Sequence, residues 1–423
     1  MIQKGSVEQL LYKDNMNQAY KQVVKNKGAS GVDGMKYTEL ADYLKKEGKN
    51  LLDKIRCRTY QPQPVLRVEI PKPNGGVRKL GIPTVTDRMV QQAVAQFLTP
   101  EYEKLFHPNS YGFRPKKSAI DAVKKVAEYM TKGYKWLIDL DLEKFFDKVN
   151  QDKLMGILSR NIKDGDILSL IGKFLRSGVL VNEQIEETIM GTPQGGNLSP
   201  LLANIMLNEL DWELEKRGLR FVRYADDCVI FVKSEKSAKR VFESITRYIE
   251  NKLLLKVNRE KSKVVRPSEL KYLGFAFSYT SKENLYKPKP HKDSVKKFRA
   301  KLKELTKRSW GVSNAYKRDR INMVIRGWVN YFRIGRMKTV CQKADNLLRA
   351  RFRMCIWKHW KNPITRYKRL IQLGVSRGIA AKAAWSHGYA RVCRGKAVSV
   401  ALSNVRLKQY GLISIEEYYL KSC

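Results

Sequence analysis

The sequence lacks the features of a membrane protein or of a secreted, disulfide-rich protein. No apolar run approaches the length needed to cross a bilayer, and the first residues contain no apolar core followed by a cleavage site. The six cysteines, at 57, 228, 341, 355, 393 and 423, form no Cys-x-x-Cys pair, which argues against a zinc module and a disulfide framework. We therefore expect a cytoplasmic location and no membrane partner.

Acidic residues are scarce relative to basic ones. The chain has 83 Lys plus Arg against 41 Asp plus Glu, a formal net charge of +42. The excess is uneven, because residues 286–423 contain 34 basic and only 6 acidic residues. These basic residues alternate with apolar and aromatic ones, which is typical of a folded basic surface rather than a tail. Such a surface favours a polyanionic partner, above all a nucleic acid.

The length of 423 residues, with 43% apolar content, is sufficient for several domains. Alternating apolar residues predict a β-hairpin over residues 65–83, with basic residues near its tip. Ser118 and Asp121 form a capping-box-like start for a helix that continues to Met130. From about residue 290, apolar stripes at helical spacing predict three amphipathic helices with basic outer faces.

The most informative segment runs over residues 221–232, where Asp226 and Asp227 lie between β-branched and aromatic residues. The pattern predicts a β-hairpin with the two carboxylates at its tip. Adjacent like charges near a protein interior are costly unless a cation neutralises them. A divalent-metal site and a solvated acidic turn therefore remain the two interpretations. Asp141, after a short apolar strand, is the candidate third ligand, although spacing alone does not distinguish it from Asp139.

An ordered set of motifs carries a family resemblance. Its members are Ile70-Pro71-Lys72-Pro73, Tyr111-Gly112-Phe113-Arg114-Pro115, Asp141-x4-Phe146, Gly191-Thr192-Pro193-Gln194-Gly195-Gly196-Asn197-Leu198-Ser199-Pro200, Tyr224-Ala225-Asp226-Asp227, Tyr272-Leu273-Gly274-Phe275 and Arg326-Gly327-Trp328-x-Asn330-Tyr331-Phe332. As a set they resemble bacterial group II intron-encoded reverse transcriptases, or maturases, of the compact class without an endonuclease domain.

The resemblance implies an α+β right-hand polymerase with fingers, a palm containing an antiparallel sheet, and a helical thumb. We expect an N-terminal extension with the start of the fingers at 1–60, fingers at 61–131 and a palm at 132–285. A helical thumb at 286–363 and a small basic DNA- or RNA-binding domain at 364–423 would follow.

The resemblance also implies roles for individual residues. It selects Asp141, with Asp226 and Asp227, as catalytic metal ligands. Expected nucleotide-binding residues are Lys72, Arg78, Phe146, Gln194 and Lys261, with Phe146 excluding a 2′-hydroxyl and Lys261 donating a proton to pyrophosphate. The expected primer grip is Tyr272, Leu273, Gly274 and Phe275. Expected nucleic-acid contacts are Arg114, Lys296, Lys297, Arg299 and Lys303.

The implied function is RNA-directed DNA synthesis by two-metal nucleotidyl transfer, with two Mg²⁺ ions or, as a substitute, Mn²⁺. Implied partners are group II intron RNA, an RNA template with a DNA or RNA primer, target DNA and deoxynucleoside triphosphates (dNTPs). The protein would act as a splicing maturase and retrohoming factor in the bacterial cytoplasm. The alternatives are a reverse transcriptase of another bacterial lineage and an RNA-binding splicing factor with vestigial catalysis. The sequence does not indicate the oligomeric state.

Overall fold

The computed structural model describes residues 1–71, 75–192 and 195–422. The chain divides into two compact units, residues 1–266 and residues from 267 onward. Within the described ranges, no helix combines the length and apolar character needed to cross a membrane. Helices and sheets occur in both units, so the predicted α+β class is confirmed.

The first unit contains helices and strands that alternate along the chain. Its helices are α1 (Val7–Leu10), α2 (Lys13–Asn26), α3 (Leu40–Arg56), α4 (Val85–Glu103), α5 (Ala119–Thr131), α6 (Phe145–Lys148), α7 (Gln151–Asn161), α8 (Gly165–Leu175), α9 (Ser199–Lys216) and α10 (Glu235–Lys252). Its strands are β1 (Val65–Pro71), β2 (Val77–Ile82), β3 (Trp136–Leu140), β4 (Val179–Val181), β5 (Gln184–Glu186), β6 (Arg220–Tyr224), β7 (Asp227–Val232) and β8 (Lys263–Val265).

The first sheet is built on the predicted hairpin of β1 and β2. The two strands pair antiparallel from Leu66 opposite Ile82 to Pro71 opposite Val77. Strand β4 adds in parallel to β1, and β5 pairs antiparallel with β4, which gives the order β2-β1-β4-β5. The outer end of the hairpin is exposed, so its basic side chains face solvent.

The second sheet has the order β6-β7-β3-β8, and every neighbouring pair is antiparallel. Its strands β3, β6 and β7 are apolar because helices cover them: Ile138, Leu140, Phe221 and Ile230 are nearly or fully buried in one core with residues of α4, α7, α8, α9 and α10. Helix α5 begins with the predicted capping box, since the Ser118 hydroxyl accepts from the Asp121 amide and the Asp121 carboxylate accepts from the Ser118 amide.

The second unit begins with a hairpin and continues as helices. Its strands are β9 (Phe275–Thr280) and β10 (Leu285–Pro290), and its helices are α11 (Lys292–Leu305), α12 (Asn314–Phe332), α13 (Lys338–His359), α14 (Pro363–Gln372), α15 (Arg377–Ala384), α16 (Tyr389–Arg394), α17 (Lys396–Ala401), α18 (Asn404–Gln409) and α19 (Ile415–Ser422). The three predicted amphipathic helices correspond to α11, α12 and α13. Their stripes are buried at Phe298, Ile325 and Phe352, for example.

The compact units and the predicted domains divide the chain at different points. The structural division at 266/267 assigns β9 and β10 to the same compact unit as the helices that follow, whereas the sequence analysis assigned residues up to 285 to the palm. This compact unit also continues past residue 363. The four-part division of residues 61–423 stays a prediction.

A buried ion pair joins the second sheet to helix α9. The Arg223 side chain on β6 and the Asp211 side chain on α9 are both fully buried. Arg223 Nε donates to Asp211 Oδ1 at 2.8 Å and Nη2 to Oδ2 at 2.5 Å. Its Nη1 donates to Asn204 Oδ1 at 3.0 Å and to the Ala225 carbonyl at 2.8 Å. One guanidinium therefore ties the helix to the turn between β6 and β7.

We expect Arg223→Met to lower the free energy of unfolding by about 3–5 kcal/mol, because it leaves the Asp211 carboxylate buried without its counter-charge. Guanidinium unfolding followed by circular dichroism measures the change. The double variant Arg223→Met/Asp211→Leu should regain part of the loss, since both charges are then removed. The control Arg217→Met, on a partly exposed pair with Glu213, should change the stability by no more than about 1 kcal/mol. Equal effects of the Arg223 and Arg217 substitutions would contradict the prediction.

Candidate active site

Strand pairing brings acidic side chains together at one edge of the second sheet. Strand β3 pairs with β7 so that Asp139 lies opposite Val229 and Leu140 opposite Cys228. Because side chains alternate between the two faces of a strand, Asp139 and Asp141 point to the same face, and Asp227 on β7 points there too. We call this edge, with Asp139, Asp141, Asp227 and the neighbouring Asp226, the acidic edge. Its formation follows directly from the strand register.

The turn between β6 and β7 places Asp226 beside this edge. Tyr224 pairs with Asp227, so Ala225 and Asp226 form a two-residue loop. Ala225 has φ of +56°, a left-handed conformation at the first loop position, where glycine is usual. The Arg223 side chain holds the Ala225 carbonyl at 2.8 Å, which helps to maintain this unusual backbone.

A second loop lies directly against that turn. The Tyr111 amide donates to the Arg223 carbonyl at 2.9 Å, and the Gly112 carbonyl accepts from the Asn204 side-chain amide at 2.8 Å. A Cβ atom on Gly112 would lie 2.2 Å from the Ala225 backbone nitrogen. Only glycine allows the loop to approach the Asp226–Asp227 turn this closely.

Asp141 is held by a segment that precedes β8. Its amide donates to Ser262 Oγ at 3.0 Å, and its carbonyl accepts from the Asn258 amide at 2.9 Å. Lys261 Nζ lies 3.7 Å from Asp141 Oδ2, and the lysine side chain is 71% exposed. Lys261, an expected nucleotide-binding residue, therefore forms an exposed ion pair with an expected metal ligand.

Simultaneous ionisation of all the carboxyl groups at the acidic edge is electrostatically unfavourable. Reduced hydration raises the pKa of Asp227 to about 7, and repulsion from Asp226, Asp139 and Asp141 adds to this shift, although the Asp227 side chain keeps contact with solvent. Burial and the nearby Asp141 raise the pKa of Asp139 to about 6. Burial also raises the pKa of Asp141, while Lys261 opposes that shift. The four carboxylates thus interact with one another.

These carboxylates suit a divalent cation by their chemistry and their charge. Carboxylate oxygens are the ligands that Mg²⁺ and Mn²⁺ take, and a cation would relieve the repulsion that, together with burial, raises the pKa values. In the part of the chain that the structure describes, no three or more His, Cys, Asp or Glu side chains stand in an arrangement that would hold a metal ion. The donors are therefore gathered at one edge without preformed ligand geometry.

The loop after residue 190 packs against Phe146. The Gly191 amide donates to the Val149 carbonyl and the Thr192 amide to the Phe146 carbonyl, each at 2.7 Å. Further along, a Cβ atom on Gly195 would lie 2.5 Å from the Gly81 carbonyl oxygen of β2. The half-buried Phe146 thus lies against this loop, and the same loop contacts the first sheet.

Two of the expected nucleotide-binding residues, Lys72 and Gln194, lie outside the described residues. Arg78 lies on the exposed end of β2, opposite Ile70. Its guanidinium faces solvent, as expected of a side chain that grips a triphosphate. The nucleotide-binding roles of these three residues stay predictions.

Arg114 differs from its expected role as a nucleic-acid contact. Its side chain is only 5% exposed and donates to both oxygens of Glu103 at 2.8–3.1 Å. It also donates to the carbonyls of His107 and Ser110. Because these bonds are made within the protein, Arg114 holds the loop that approaches Ala225.

The four basic residues expected to bind nucleic acid on α11 are exposed: Lys296, Lys297, Arg299 and Lys303.

The expected primer-grip residues form a tight turn in the second unit. The backbones of Tyr272 and Phe275 bond to each other, and the two residues between them both have positive φ, +48° at Leu273 and +81° at Gly274. The Leu273 carbonyl accepts from the Tyr331 hydroxyl at 2.9 Å. The Gly274 carbonyl accepts from Ser294 Oγ at 2.8 Å. Helices α11 and α12 therefore fix the shape of this turn.

Sequence reasoning missed the residues that position the acidic turn. Gly112 belongs to a quoted motif and Arg223 to the segment 221–232, but neither was assigned this task. An arginine between two apolar strand residues signals an unusual buried charge, yet its partner Asp211 is on another element. The contact of Gly112 with Ala225 has no local sequence signal at all.

Comparison with known protein families shows which class of enzyme has a site in this region of the chain. Residues 70–277 match the family described as reverse transcriptase (RNA-dependent DNA polymerase). Residues 295–374 match the family described as group II intron, maturase-specific domain. The first match contains Asp141, Asp226 and Asp227, so the acidic edge belongs to the region shared with reverse transcriptases.

Two relatives each match about 60% of this chain. Protein YkfC of Escherichia coli (strain K12) is 35% identical over 293 residues, covering 60% of this chain and 76% of YkfC. Group II intron-encoded protein LtrA of Lactococcus lactis subsp. cremoris is 33% identical over 332 residues, covering 63% of this chain and 55% of LtrA. The chain belongs to the family of group II intron-encoded reverse transcriptases, and the predicted polymerase fold is confirmed with it.

Among solved structures, a telomerase from Candida albicans in complex with a fragment of telomeric RNA matches with a TM-score of 0.46 and 15% identity. That match covers 90% of this chain and 68% of the telomerase chain. Membership of the reverse transcriptase family implies dependence on a divalent metal and binding of a template and primer, and the match to the maturase-specific domain implies binding of intron RNA.

We expect Gly112→Ala to lower the rate of primer extension by about 10²-fold, because the added methyl group displaces the Ala225 backbone and with it the carboxylates of the turn. Single-turnover extension of a primed RNA template measures the effect. The matched control is Gly156→Ala on α7, where a Cβ atom would meet open space. It should leave extension unchanged and stabilise the protein by up to about 1 kcal/mol. Unchanged extension in Gly112→Ala would contradict this account of the turn.

Proposed function

We propose that the chain is an RNA-directed DNA polymerase encoded by a mobile group II intron. It copies RNA into DNA and also binds its parent intron RNA as a splicing maturase and retrohoming factor. The observation that carries the proposal is the convergence of Asp141, Asp226 and Asp227 at one sheet edge, inside the region that matches reverse transcriptases. Because the chain spans 76% of YkfC and 55% of LtrA, the activity of those whole proteins is extended to it here as a proposal.

Asp141, Asp226 and Asp227 would hold two Mg²⁺ ions, with Mn²⁺ as a substitute. When bound, the ions would lower the pKa of the primer 3′-hydroxyl and neutralise the charge that develops on the leaving pyrophosphate. The protein contributes by keeping the carboxylates in register: the β3–β7 pairing orients Asp141 and Asp227, and Arg223 holds the turn that contains Asp226. The mutual repulsion of the acids supports this assignment.

The remaining residues of the site would bind and select the nucleotide. Lys72 and Arg78 would contact the triphosphate as preorganised cations, and Gln194 would lie beside the nascent base pair. Phe146 would pack under the sugar and exclude a 2′-hydroxyl. Lys261, which lies 3.7 Å from Asp141, would donate a proton to pyrophosphate. In the second unit, the turn from Tyr272 to Phe275 would grip the primer.

The expected ligands follow from these roles. They are dNTPs, an RNA template with a DNA or RNA primer, intron RNA and target DNA. Exposed Lys296, Lys297, Arg299 and Lys303 on α11 would contribute to the nucleic-acid surface. Recognition of RNA through its shape and backbone suits a broad basic surface of this kind.

We expect Asp226→Ala to reduce primer extension by at least about 10²-fold while intron RNA binding is retained, because the substitution removes a charge-stabilising ligand and leaves the basic surface intact. Extension assays and filter binding on the same preparation measure the two properties. The control Asp152→Ala, in the first turn of α7, should affect neither. Parallel loss of extension and binding would mean that Asp226 is structural. No extension by the wild-type protein would favour a splicing factor with vestigial catalysis.

We expect the wild-type protein to incorporate dNTPs in strong preference to ribonucleotides. Phe146→Ala should weaken that discrimination at least about tenfold, because the cavity left by the ring admits a 2′-hydroxyl. Single-turnover incorporation of a dNTP and the matching ribonucleotide gives the ratio of kcat/KM values. Phe146→Tyr, which retains the ring, should keep the discrimination. A wild-type preference for ribonucleotides would overturn the assignment as a DNA polymerase.

A further inference from the structure

A cleft in the second unit is lined mainly by basic and neutral polar side chains, with the apolar Leu347 and Ala350 between them. Its volume is about 720 Å³, and it lies among α11, α13 and the segment from α16 to the start of α18. The lining includes no Asp or Glu. Five cations line it: Arg299, Lys343, Arg349, Arg353 and Arg394. We call this feature the basic cleft.

The five cations fall into two groups. Arg349 and Arg353 are partly buried and bonded to the protein: Arg349 Nη2 lies 3.4 Å from the buried Asp345, and Arg353 Nε donates to the Leu402 carbonyl at 2.9 Å. Arg299, Lys343 and Arg394 are exposed and, in the part of the chain that the structure describes, their side chains make no ion pair or hydrogen bond. Arg349 and Arg353 are thus fixed in the wall of the cleft by bonds to the protein. The other three cations are exposed around it, and their side chains have no bonding partner in the described part of the chain.

The five cations outnumber Asp345, the carboxylate that pairs with Arg349, so the arrangement is unfavourable in the absence of an anionic ligand. The charges are alike, and burial together with the neighbouring Arg349 lowers the pKa of Arg353. The wall guanidinium groups keep their positions through bonds to Asp345, Leu402 and Asn404, so the repulsion cannot be relieved by simply moving them away. An anionic ligand would remove this repulsion and occupy the free donors.

The chemistry of the lining indicates which anion it would take. Several separated cations suit a series of phosphates better than one compact anion, and Asn346, Ser399, Ser403 and Asn404 add neutral groups that can bond to sugar hydroxyls. The lining contains no aromatic ring for base stacking, which favours backbone contacts without sequence preference. A cleft of about 720 Å³ cannot enclose a double helix but can admit one strand.

We propose that the basic cleft binds consecutive phosphodiester groups of a single RNA strand. The choice of RNA rests on the proposed function and on the position of Arg299, Lys343, Arg349 and Arg353 within residues 295–374, which match the maturase-specific domain. The cleft lies wholly in the second unit, whereas Asp141, Asp226 and Asp227 lie in the first. Binding there is therefore separable from the chemistry of the acidic edge.

The test compares the double variant Lys343→Gln/Arg394→Gln with the control Lys282→Gln/Lys368→Gln. Both remove two exposed positive charges from the second unit, but only the first pair lines the cleft. Affinities for a short oligouridylate and for the matching oligothymidylate are measured by fluorescence anisotropy over a range of salt concentrations. The cleft variant should bind oligouridylate at least about tenfold more weakly than the control. The slope of log K against log salt should fall in magnitude by about 1.4, since each lost phosphate contact contributes about 0.7 on a single strand.

Each outcome is decisive. A larger loss in the cleft variant than in the control, with oligouridylate alone or with both strands, supports the proposal. Equal affinities of the two variants would overturn the cleft as a binding site, and a loss confined to oligothymidylate would overturn its assignment to RNA. Melting curves of both variants verify that they are folded. If the wild-type protein neither extends primers nor binds intron RNA, the proposed function is wrong. If it does both, and the cleft variant and the control bind the oligonucleotides with equal affinity, only the proposal for the basic cleft is wrong.

Discussion

The acidic edge depends on one buried ion pair, between Arg223 and Asp211. Arg223 and Asp211 lose all contact with water, and such a loss is compensated only when geometry is good and every donor finds an acceptor. Here the guanidinium reaches a carboxylate, a side-chain amide and a backbone carbonyl at once. The backbone of Arg223 is also bonded, its carbonyl to Tyr111 and its amide to the Asn109 carbonyl. Helix, turn and loop are therefore held by a single residue, and the position of Asp226 follows from it.

The second constraint is the distribution of charge. A chain with a net charge of +42 concentrates several of its few acids where strands meet, so that the acidic edge is an exception within a basic protein. Burial, with repulsion among the acids, raises the pKa values of Asp139, Asp141 and Asp227, and at Asp141 the exposed Lys261 opposes the rise more strongly than Asp226 adds to it. The basic cleft shows the opposite case, with cations held near one another by bonds to Asp345, Leu402 and Asn404. Each region becomes favourable when its complementary ion is present.

Local sequence pattern predicted the elements well because the interactions concerned are local. The β1–β2 hairpin, the capping box of α5 and the apolar stripes of α11 to α13 each depend on residues a few positions apart. The acidic edge was predictable because strand alternation and a family pattern both indicated it. The buried role of Arg114 was not, since it depends on Glu103 and two carbonyls brought close by folding. The boundary at 266/267 likewise arises from packing density, which no local pattern encodes.

The basic cleft also bears on how the protein is made. Its walls come from α11, near the start of the second unit, and from α16 to α18, much later in the chain. A nascent chain would expose the cations of α11 and α13 before the later helices exist to position Arg353 through Leu402 and Asn404. Domains generally fold as their last elements leave the ribosome, and contacts between distant segments form late. Recognition by the cleft is thus postponed until synthesis has passed residue 404, by which time the whole acidic edge has already been translated.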